Sequence, residues 1–409
     1  MKIGIIGAGP SGLMAAISAS QGSDVDIVIF EKNEKIGKKL FITGKGRCNI
    51  TNDKDIGDFF DHIPTNHKFL YSSLYSFSNY NLVKLFNDSG LKTKVERGDR
   101  VFPQSDKSSD VIKHLKQMIS QEKIDLKLNS QVDSVEKVEN GFQVIANKKK
   151  YDFDKLILAT GGMSYPMTGS TGDGYGFAKK LSHNIVRPKP ALCPILVGDD
   201  FISTLAGISL INIQLNIKAG DRNISEFGEL LFTHRGISGP TVLRASSQIN
   251  KYKKEDIKLS LDLKPALDYK KLDNRLIRDL DKNPNKTITT ILEGLLIRAL
   301  IPIVLERAGL DPQKKANQIS KEDRRNLSEQ IKDFSLTYQG LEEIKYAIVT
   351  SGGVDVDQID PSTMESKLCP NLYFCGELID VDALTGGYNL QIAFSTGHLA
   401  GLNAGEVEL

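Results

Sequence analysis

The first thirty-one residues constrain this chain most. Lys2 to Ile6 read as a short apolar strand, and Gly7-Ala8-Gly9-Pro10-Ser11-Gly12 follows at once. Leu13 to Ser20 continue as an Ala-rich helix, and a second apolar run, Val25 to Phe30, ends on Glu31. Strand, GxGxxG turn, helix, strand and an acid about 20 residues past the last glycine make a dinucleotide-binding fingerprint. Each part has a physical task. Gly7 permits the tight turn, Gly9 lets the backbone approach a pyrophosphate, and Gly12 lets helix and strand pack closely. Pro10 and Ser11 open the helix, whose N-terminus offers unpaired N–H groups and a positive dipole end to phosphate. Glu31 is suited to accept hydrogen bonds from both hydroxyls of an adenosine ribose, and it would repel a 2′-phosphate. The glycines alone would equally suit an ordinary turn of a βαβ unit; the strands and the acid separate the two readings.

With 409 residues the chain is long enough for two or three domains. A net charge of +2 excludes a global field that would by itself demand nucleic acid or an anionic membrane. Cys48, Cys193, Cys369 and Cys375 form no CxxC pair and no metal-ligand cluster, so the expectation is reduced thiols in a cytoplasmic protein, with no metal. The strand beginning at Lys2 leaves no room for a signal peptide. The most apolar segment, Ile288 to Leu305, contains Glu293, Arg298 and Pro302, which predicts a buried helix rather than a membrane span.

Lys32 to Leu40 are polar and basic, and Phe41 to Asn52 are too rich in glycine for a helix and too polar for a central strand, and read as an ordered loop. Residues 53–120 read as mostly helical, with an extended piece from Val95 to Pro103. Leu126 to Leu128, Val132 to Val138 and Phe142 to Ala146 alternate as an antiparallel meander with a hairpin at Asn140-Gly141. Leu156 to Ala159 is a continuous apolar run, as expected of a fully buried parallel strand, and ends in Thr160-Gly161-Gly162. The prolines at 188, 190 and 194 mark a boundary. These patterns divide the chain into a nucleotide-binding domain (1–190 and 341–409) interrupted by a β-rich insertion (191–265) and a helical one (266–340). Leu372 to Cys375 form another apolar strand, ending in Gly376-Glu377, and a final helix starts near Asn389 and runs through His398.

Three glycine-punctuated sites therefore follow apolar strands: Gly7 to Gly12, Thr160 to Gly162, and Gly376-Glu377. In an open parallel sheet ligands bind at the carboxyl ends of strands. Three such ends suit a ligand as long as FAD, and no second GxGxxG provides for a resident nicotinamide cofactor.

The pieces GAGPSGLMAA, GKKLFITGKGRCNITN, ATGGMSYPMTGSTGDGYGFA, GELLFTHRGISGP and LYFCGELIDVDALTGGYNLQIAFSTG together resemble the aminoacetone-oxidase-type, BaiN-like family of FAD-dependent oxidoreductases. The resemblance covers nearly the whole chain in family order. It implies an α/β fold: a Rossmann-like FAD-binding domain of the two-dinucleotide-binding-domain flavoprotein type, interrupted by a β-barrel-like and a helical piece that roofs the reactive end. By position it implies that Glu31 holds the adenosine ribose, with Lys32 at the same end. Gly9, Pro10 and Ser11 take the pyrophosphate, and Val132 pairs with adenine through its backbone. Thr160 and Gly161 close over the adenine half. Gly46, Arg47, Cys48 and Asn49 lie along the flavin, and Glu377 after Gly376 meets the ribitol or phosphate edge. Gly387, Asn389 and Leu390 open the last helix toward the flavin pyrimidine edge.

Arg47 and His234 are the candidate catalytic residues, Arg47 to neutralise phosphate or an anionic substrate and His234 as a proton donor. A surface salt bridge and a structural histidine are the competing readings. Cys48 and Cys375 suit a redox pair or, better, small buried hydrophobes. The family implies hydride transfer to or from a small molecule, with NADH or NADPH as a transient reductant. A uridine reductase acting on ribosomal RNA is the alternative, for which Lys314, Lys315, Arg324 and Arg325 of the helical insertion, with Arg97 and Arg100, are candidate phosphate contacts. A non-catalytic FAD-binding protein is the third reading.

Overall fold

The computed structural model describes residues 1–122 and 124–407. It forms two compact units, Met1–Ala191 with Glu343–Leu409, and Leu192–Glu342.

The first unit is built on a five-stranded parallel sheet in the order Leu372–Phe374, Lys155–Leu158, Lys2–Ile6, Asp26–Phe30, Asp125–Lys127. The three central strands are apolar and buried, as a sheet covered on both faces requires. Helix Pro10–Ala19 and the last helix, Tyr388–Ala404, pack on each other along small residues. A Cβ on Gly397, Gly401 or Gly405 would lie 2.2, 2.3 or 2.7 Å from the carbonyl oxygen of Ser11, Ala15 or Ala19. Two runs of small residues spaced four apart thus face each other turn for turn, and the backbones touch.

The structure corrects several local expectations. Leu126 is not in the meander: Asp125–Lys127 is the edge strand of the parallel sheet, beside Asp26–Phe30. The meander is instead Val132–Val138, Gly141–Ala146 and Lys149–Phe153. The 32–52 stretch contains a short helix, Lys38–Ile42, which leans on helix Ser108–Gln121. Between them Val95 to Pro103 does form extended structure, as the two-stranded ladder Thr93–Glu96 with Arg100–Pro103.

The second unit is a seven-stranded sheet in the order Phe334–Leu336, Ile257–Asp262, Ser209–Ala219, Arg222–Thr233, Gly236–Ser238, Ile195–Val197, Tyr338–Leu341. All its pairings are antiparallel. Helices Tyr269–Lys282, Ile301–Arg307 and Lys321–Lys332 share one apolar core with it. Ile288 to Leu305 is buried, yet it is not one helix: Ile288–Leu292 and Ile301–Arg307 are separate, the second with Pro302 in its first turn. No helix of the described residues is long and apolar enough to cross a membrane.

Candidate active site

The strand ends of the first unit meet at one place. Gly7 sits at φ +108°, and a Cβ there would lie 2.4 Å from the carbonyl oxygen of Ala159, at the end of the neighbouring strand. A Cβ on Gly12 would lie 2.0 Å from the carbonyl oxygen of Gly7, and one on Gly376 2.4 Å from Ser11 Oγ. These three glycines are therefore demanded by contact. Gly9 is different: a Cβ there would meet nothing within 4 Å. It precedes a helix that starts with Pro10 and has no side-chain cap. Open space before uncapped helix N–H groups is the cradle a pyrophosphate requires, so the residues present fit a dinucleotide.

Glu31 is buried at the end of the second strand. One carboxylate oxygen accepts from Ala8 N at 3.0 Å, and the other from Asn33 N at 2.9 Å and Asn33 Nδ2 at 2.6 Å. Lys32 turns away to Asp173 at 2.6 Å and Thr171 Oγ1 at 2.5 Å, which ties this end to the loop after Thr160. Gly161 is left-handed at φ +73°, with Ser170 Oγ as its close neighbour. Val132 is buried at the start of the meander.

Glu377 is held from three sides. Lys39 Nζ donates to one oxygen at 2.5 Å; Ser164 Oγ at 3.0 Å and Thr350 N at 2.8 Å donate to the other. Lys39, Ser164 and Thr350 were not among the sequence candidates. Lys39 is one of several lysines in GKKLFITGKG, and its partner lies 338 positions along the chain, so no local signal marks it.

The 43–49 loop is conformationally unusual. Gly44, Lys45, Gly46 and Cys48 all have φ between +57° and +82°. For Lys45 and Cys48 that costs of order 1 kcal/mol each, strain that clusters at binding sites. Arg47 pairs with both Glu96 and Asp106 and lies 4.2 Å over the Phe102 ring. Its guanidinium makes the salt bridge that was the competing reading. Cys48 and Cys375 are fully buried, and burial pushes both thiols up to about 12, the behaviour of small hydrophobes. The Oδ1 of Asn49 is buried without a hydrogen-bond partner.

The last helix begins beside the short strand Thr51–Asn52 that follows this loop. Gly387 is its N-cap at φ +105°, and a Cβ there would lie 2.4 Å from the Thr51 backbone. Thr51 Oγ1 donates to Gln391 Oε1 at 2.7 Å, and Asn52 Nδ2 to Gly386 O at 3.1 Å. No side chain caps the helix. Asn389 instead braces the chain before it, accepting from Ala383 N at 2.9 Å and donating to Ala383 O at 2.7 Å. Leu390 is half-buried against the core.

His234 occupies an exposed turn of the second unit, between Arg222–Thr233 and Gly236–Ser238. Among the described residues no three His, Cys, Asp or Glu side chains are grouped to hold a metal.

The HI0933-like protein Rossmann domain matches residues 1–403. The chain is similar to a 3-dehydro-bile acid delta(4,6)-reductase of Clostridium scindens, 32% identical with 99% of each chain covered. It is also similar to a ribosomal RNA dihydrouridine synthase of Haemophilus influenzae, 32% identical with 98% of this chain and 97% of the other covered. In fold it resembles a flavocytochrome c3 fumarate reductase at TM-score 0.52 and 17% identity, over 99% of this chain and 78% of that one. It resembles a 3-ketosteroid delta1-dehydrogenase from Sterolibacterium denitrificans at TM-score 0.50 and 12% identity, over 99% of both. The chain belongs to the HI0933-like Rossmann family, the BaiN-like group of FAD-dependent oxidoreductases.

Proposed function

We propose that this FAD-dependent oxidoreductase saturates a carbon–carbon double bond conjugated to a carbonyl group, with NADH or NADPH as its transient reductant. The observation that carries the proposal is chemical. The two full-length relatives have names that point to different substrates and one transformation, since a delta(4,6)-reductase and a dihydrouridine synthase both saturate a C=C bond. In a 3-keto steroid skeleton and in uracil that bond is conjugated to a carbonyl.

The roles of this chain's own residues follow. Gly9, Pro10 and Ser11 receive the pyrophosphate beside Gly7 and Gly12, and Glu31 turns toward the ribose, with Lys32 fixing the loop that carries Thr160 and Gly161. Val132 offers its backbone to adenine. Gly376 and Glu377, braced by Lys39, face the ribityl edge, and Gly46 to Asn49 line the ring. The bound flavin would supply hydride transfer. The uncapped N–H groups after Gly387, at Tyr388, Asn389 and Leu390, would favour negative charge at the ring's pyrimidine edge by up to about 2 kcal/mol. His234 and Arg47 remain candidates for contact with the substrate.

A small molecule is the preferred substrate. Three of the candidate phosphate contacts in the helical stretch have partners of their own: Lys314 pairs with Asp323, Arg324 with Asp273 and Arg325 with Glu329. They read as a solvated, self-paired face. Uridine in ribosomal RNA is the alternative. The cytoplasm is the proposed location, in keeping with four buried free thiols.

The test is anaerobic. Purified protein should be yellow, should be bleached by NADH or NADPH, and should regain its colour on addition of a 3-keto-Δ4 bile acid. Protein that reoxidises only with ribosomal RNA, leaving dihydrouridine in it, would transfer the function to the alternative. A colourless protein that FAD cannot reconstitute would refute both.

A further inference from the structure

Four separate segments of the chain meet at Glu377. Lys39, on helix Lys38–Ile42, donates from Nζ to Glu377 Oε2 and to Ser164 Oγ, both at 2.5 Å. Ser164 Oγ donates to Glu377 Oε1 at 3.0 Å, and Thr350 N donates to the same oxygen at 2.8 Å. The Thr350 hydroxyl in turn accepts from Met163 N at 2.8 Å and Ser164 N at 3.1 Å. A Cβ on Gly162 would lie 2.4 Å from Thr350 Oγ1 and 2.9 Å from Glu377 Oε1. The loop after Thr160 thus reaches the carboxylate because a glycine stands there.

The hydrogen bonds left over define what this group can still hold. A carboxylate has about four acceptor positions and an ammonium three N–H groups. Among the described residues, Oε1 of Glu377 accepts from Ser164 and Thr350, Oε2 accepts from Lys39 alone, and Lys39 donates to Oε2 and Ser164. An acceptor position on Oε2 and an N–H of Lys39 are left unused, on atoms 2.5 Å apart. Ser164 and Thr350 are fully buried, whereas 21% of the Lys39 and of the Glu377 side chain is exposed. The two groups with unused capacity are therefore the two that reach the surface.

A donor beside an acceptor, on a pair without net charge, is the complement of a neutral hydroxyl, which accepts from the one and donates to the other. A phosphate would bring a second anion against Glu377, and a carbonyl would leave Oε2 unmet. The position in the fold agrees. Gly376, just before Glu377, is so close to helix Pro10–Ala19 that a Cβ there would lie 2.4 Å from Ser11 Oγ, in the turn assigned to the pyrophosphate. The adenosine ribose is assigned to Glu31, at the end of another strand. The other hydroxyl-bearing part of FAD next to the pyrophosphate is the ribityl chain.

We propose that Lys39 is a further cofactor-binding residue, and that Lys39 and Glu377 together hold one ribityl hydroxyl of FAD. Lys39 donates to the hydroxyl oxygen, and Glu377 Oε2 accepts a hydrogen bond from the hydroxyl. The inference rests on the FAD assignment in the function proposed above and is independent of the substrate.

The full chain, freed of flavin, is titrated with FAD and with an FAD analogue that carries a pentamethylene chain in place of the ribityl chain. The two ligands share ring, pyrophosphate and adenosine. Lys39→Met is expected to weaken FAD binding about tenfold or more while changing that of the analogue less than about twofold. An equal loss for both ligands overturns the proposal, since a phosphate contact or general damage to the fold would act on both. A wild type that binds both ligands equally also overturns it. Lys39→Gln is read in the same way if Lys39→Met does not fold. The double variant Lys39→Met/Glu377→Gln separates direct contact from charge balance. Its FAD binding should stay weak, and recovery of wild-type affinity overturns the proposal by showing that Lys39 only neutralises Glu377. Wild-type protein that binds neither ligand overturns the proposal together with the function above. Protein that shows the expected binding pattern yet leaves a 3-keto-Δ4 bile acid untouched upholds the proposal and refutes the substrate assignment alone.

Discussion

Replacing Gly401 by Ala should weaken this protein although it improves a helix. Alanine is favoured over glycine in a helix interior by about 1 kcal/mol. Against that, the new Cβ would sit 2.3 Å from the Ala15 carbonyl oxygen and 2.9 Å from its carbonyl carbon and Cα. The obstacle is backbone, so no rotamer change relieves it, and the two helices must part by about 1 Å to reach an ordinary contact distance. Overpacking of that kind costs about 1–3 kcal/mol, and a backbone obstacle belongs at the upper end. The net expectation is a loss of about 2 kcal/mol, together with displacement of both helix starts and weaker FAD retention. Gly176 is the control. It lies in helix Asp173–Lys180, and a Cβ there meets nothing within 4 Å. Gly176→Ala should therefore stabilise by up to about 1 kcal/mol. Urea unfolding followed by circular dichroism and by the fluorescence of released flavin measures both. If the two substitutions shift the midpoint in the same direction by similar amounts, the close-approach reasoning is wrong.

Other expectations follow from the site and its surroundings. Gly9→Ala should leave unfolding unchanged and weaken FAD binding at least about tenfold, whereas Gly12→Ala should unfold the first unit; dialysis against apoprotein and thermal melts separate the two. Burial lowers His398 to about 4 from an ordinary 6.5, so the unfolded chain takes up this proton first as pH falls. About 3 kcal/mol of stability should be lost between those values, and His398→Gln should abolish that part of the acid sensitivity in urea titrations. Asp382 acts in the opposite direction. Its carboxyl is raised, so the unfolded chain ionises first as pH rises from about 4 to 6, and Asp382→Asn should be the more stable protein above pH 6, by up to about 3 kcal/mol. Native protein should resist thiol reagents at Cys48 and Cys375 until it is denatured, as mass spectrometry of labelled protein would show.

The amino-acid sequence discloses this fold where the interaction is local. Lys2 to Glu31 read correctly because strand, turn, helix and acid lie within one continuous stretch. The 156–159 and 372–375 strands show themselves by unbroken apolarity. Misreadings occur where tertiary contact decides. Lys38–Ile42 is only five residues long and is flanked by Gly37 and Gly44, so it does not announce a helix; packing on Ser108–Gln121 supports it. Asp125–Lys127 alternates like its meander neighbours, and only pairing with Asp26–Phe30 assigns it to the parallel sheet. Pro302 was a legible sign that a new helix starts near Ile301, and it was outweighed by the apolar run around it. In the site, the glycines were legible because close approach leaves a residue type behind. The ion pair of Glu377 with Lys39 was not, because lysine and glutamate are common and their meeting is made by topology.

The contact between the first and last helices also dictates an order of events during synthesis. Ser11, Ala15 and Ala19 are made at the outset, but Gly397, Gly401 and Gly405 leave the ribosome nearly four hundred residues later. Until then the nascent Pro10–Ala19 helix carries an uncovered small-residue stripe, and the Leu192–Glu342 unit, contiguous in the chain, can complete its own core first. A stall or truncation shortly before residue 397 would therefore yield a finished Leu192–Glu342 unit joined to an incomplete first unit, the form most in need of a chaperone.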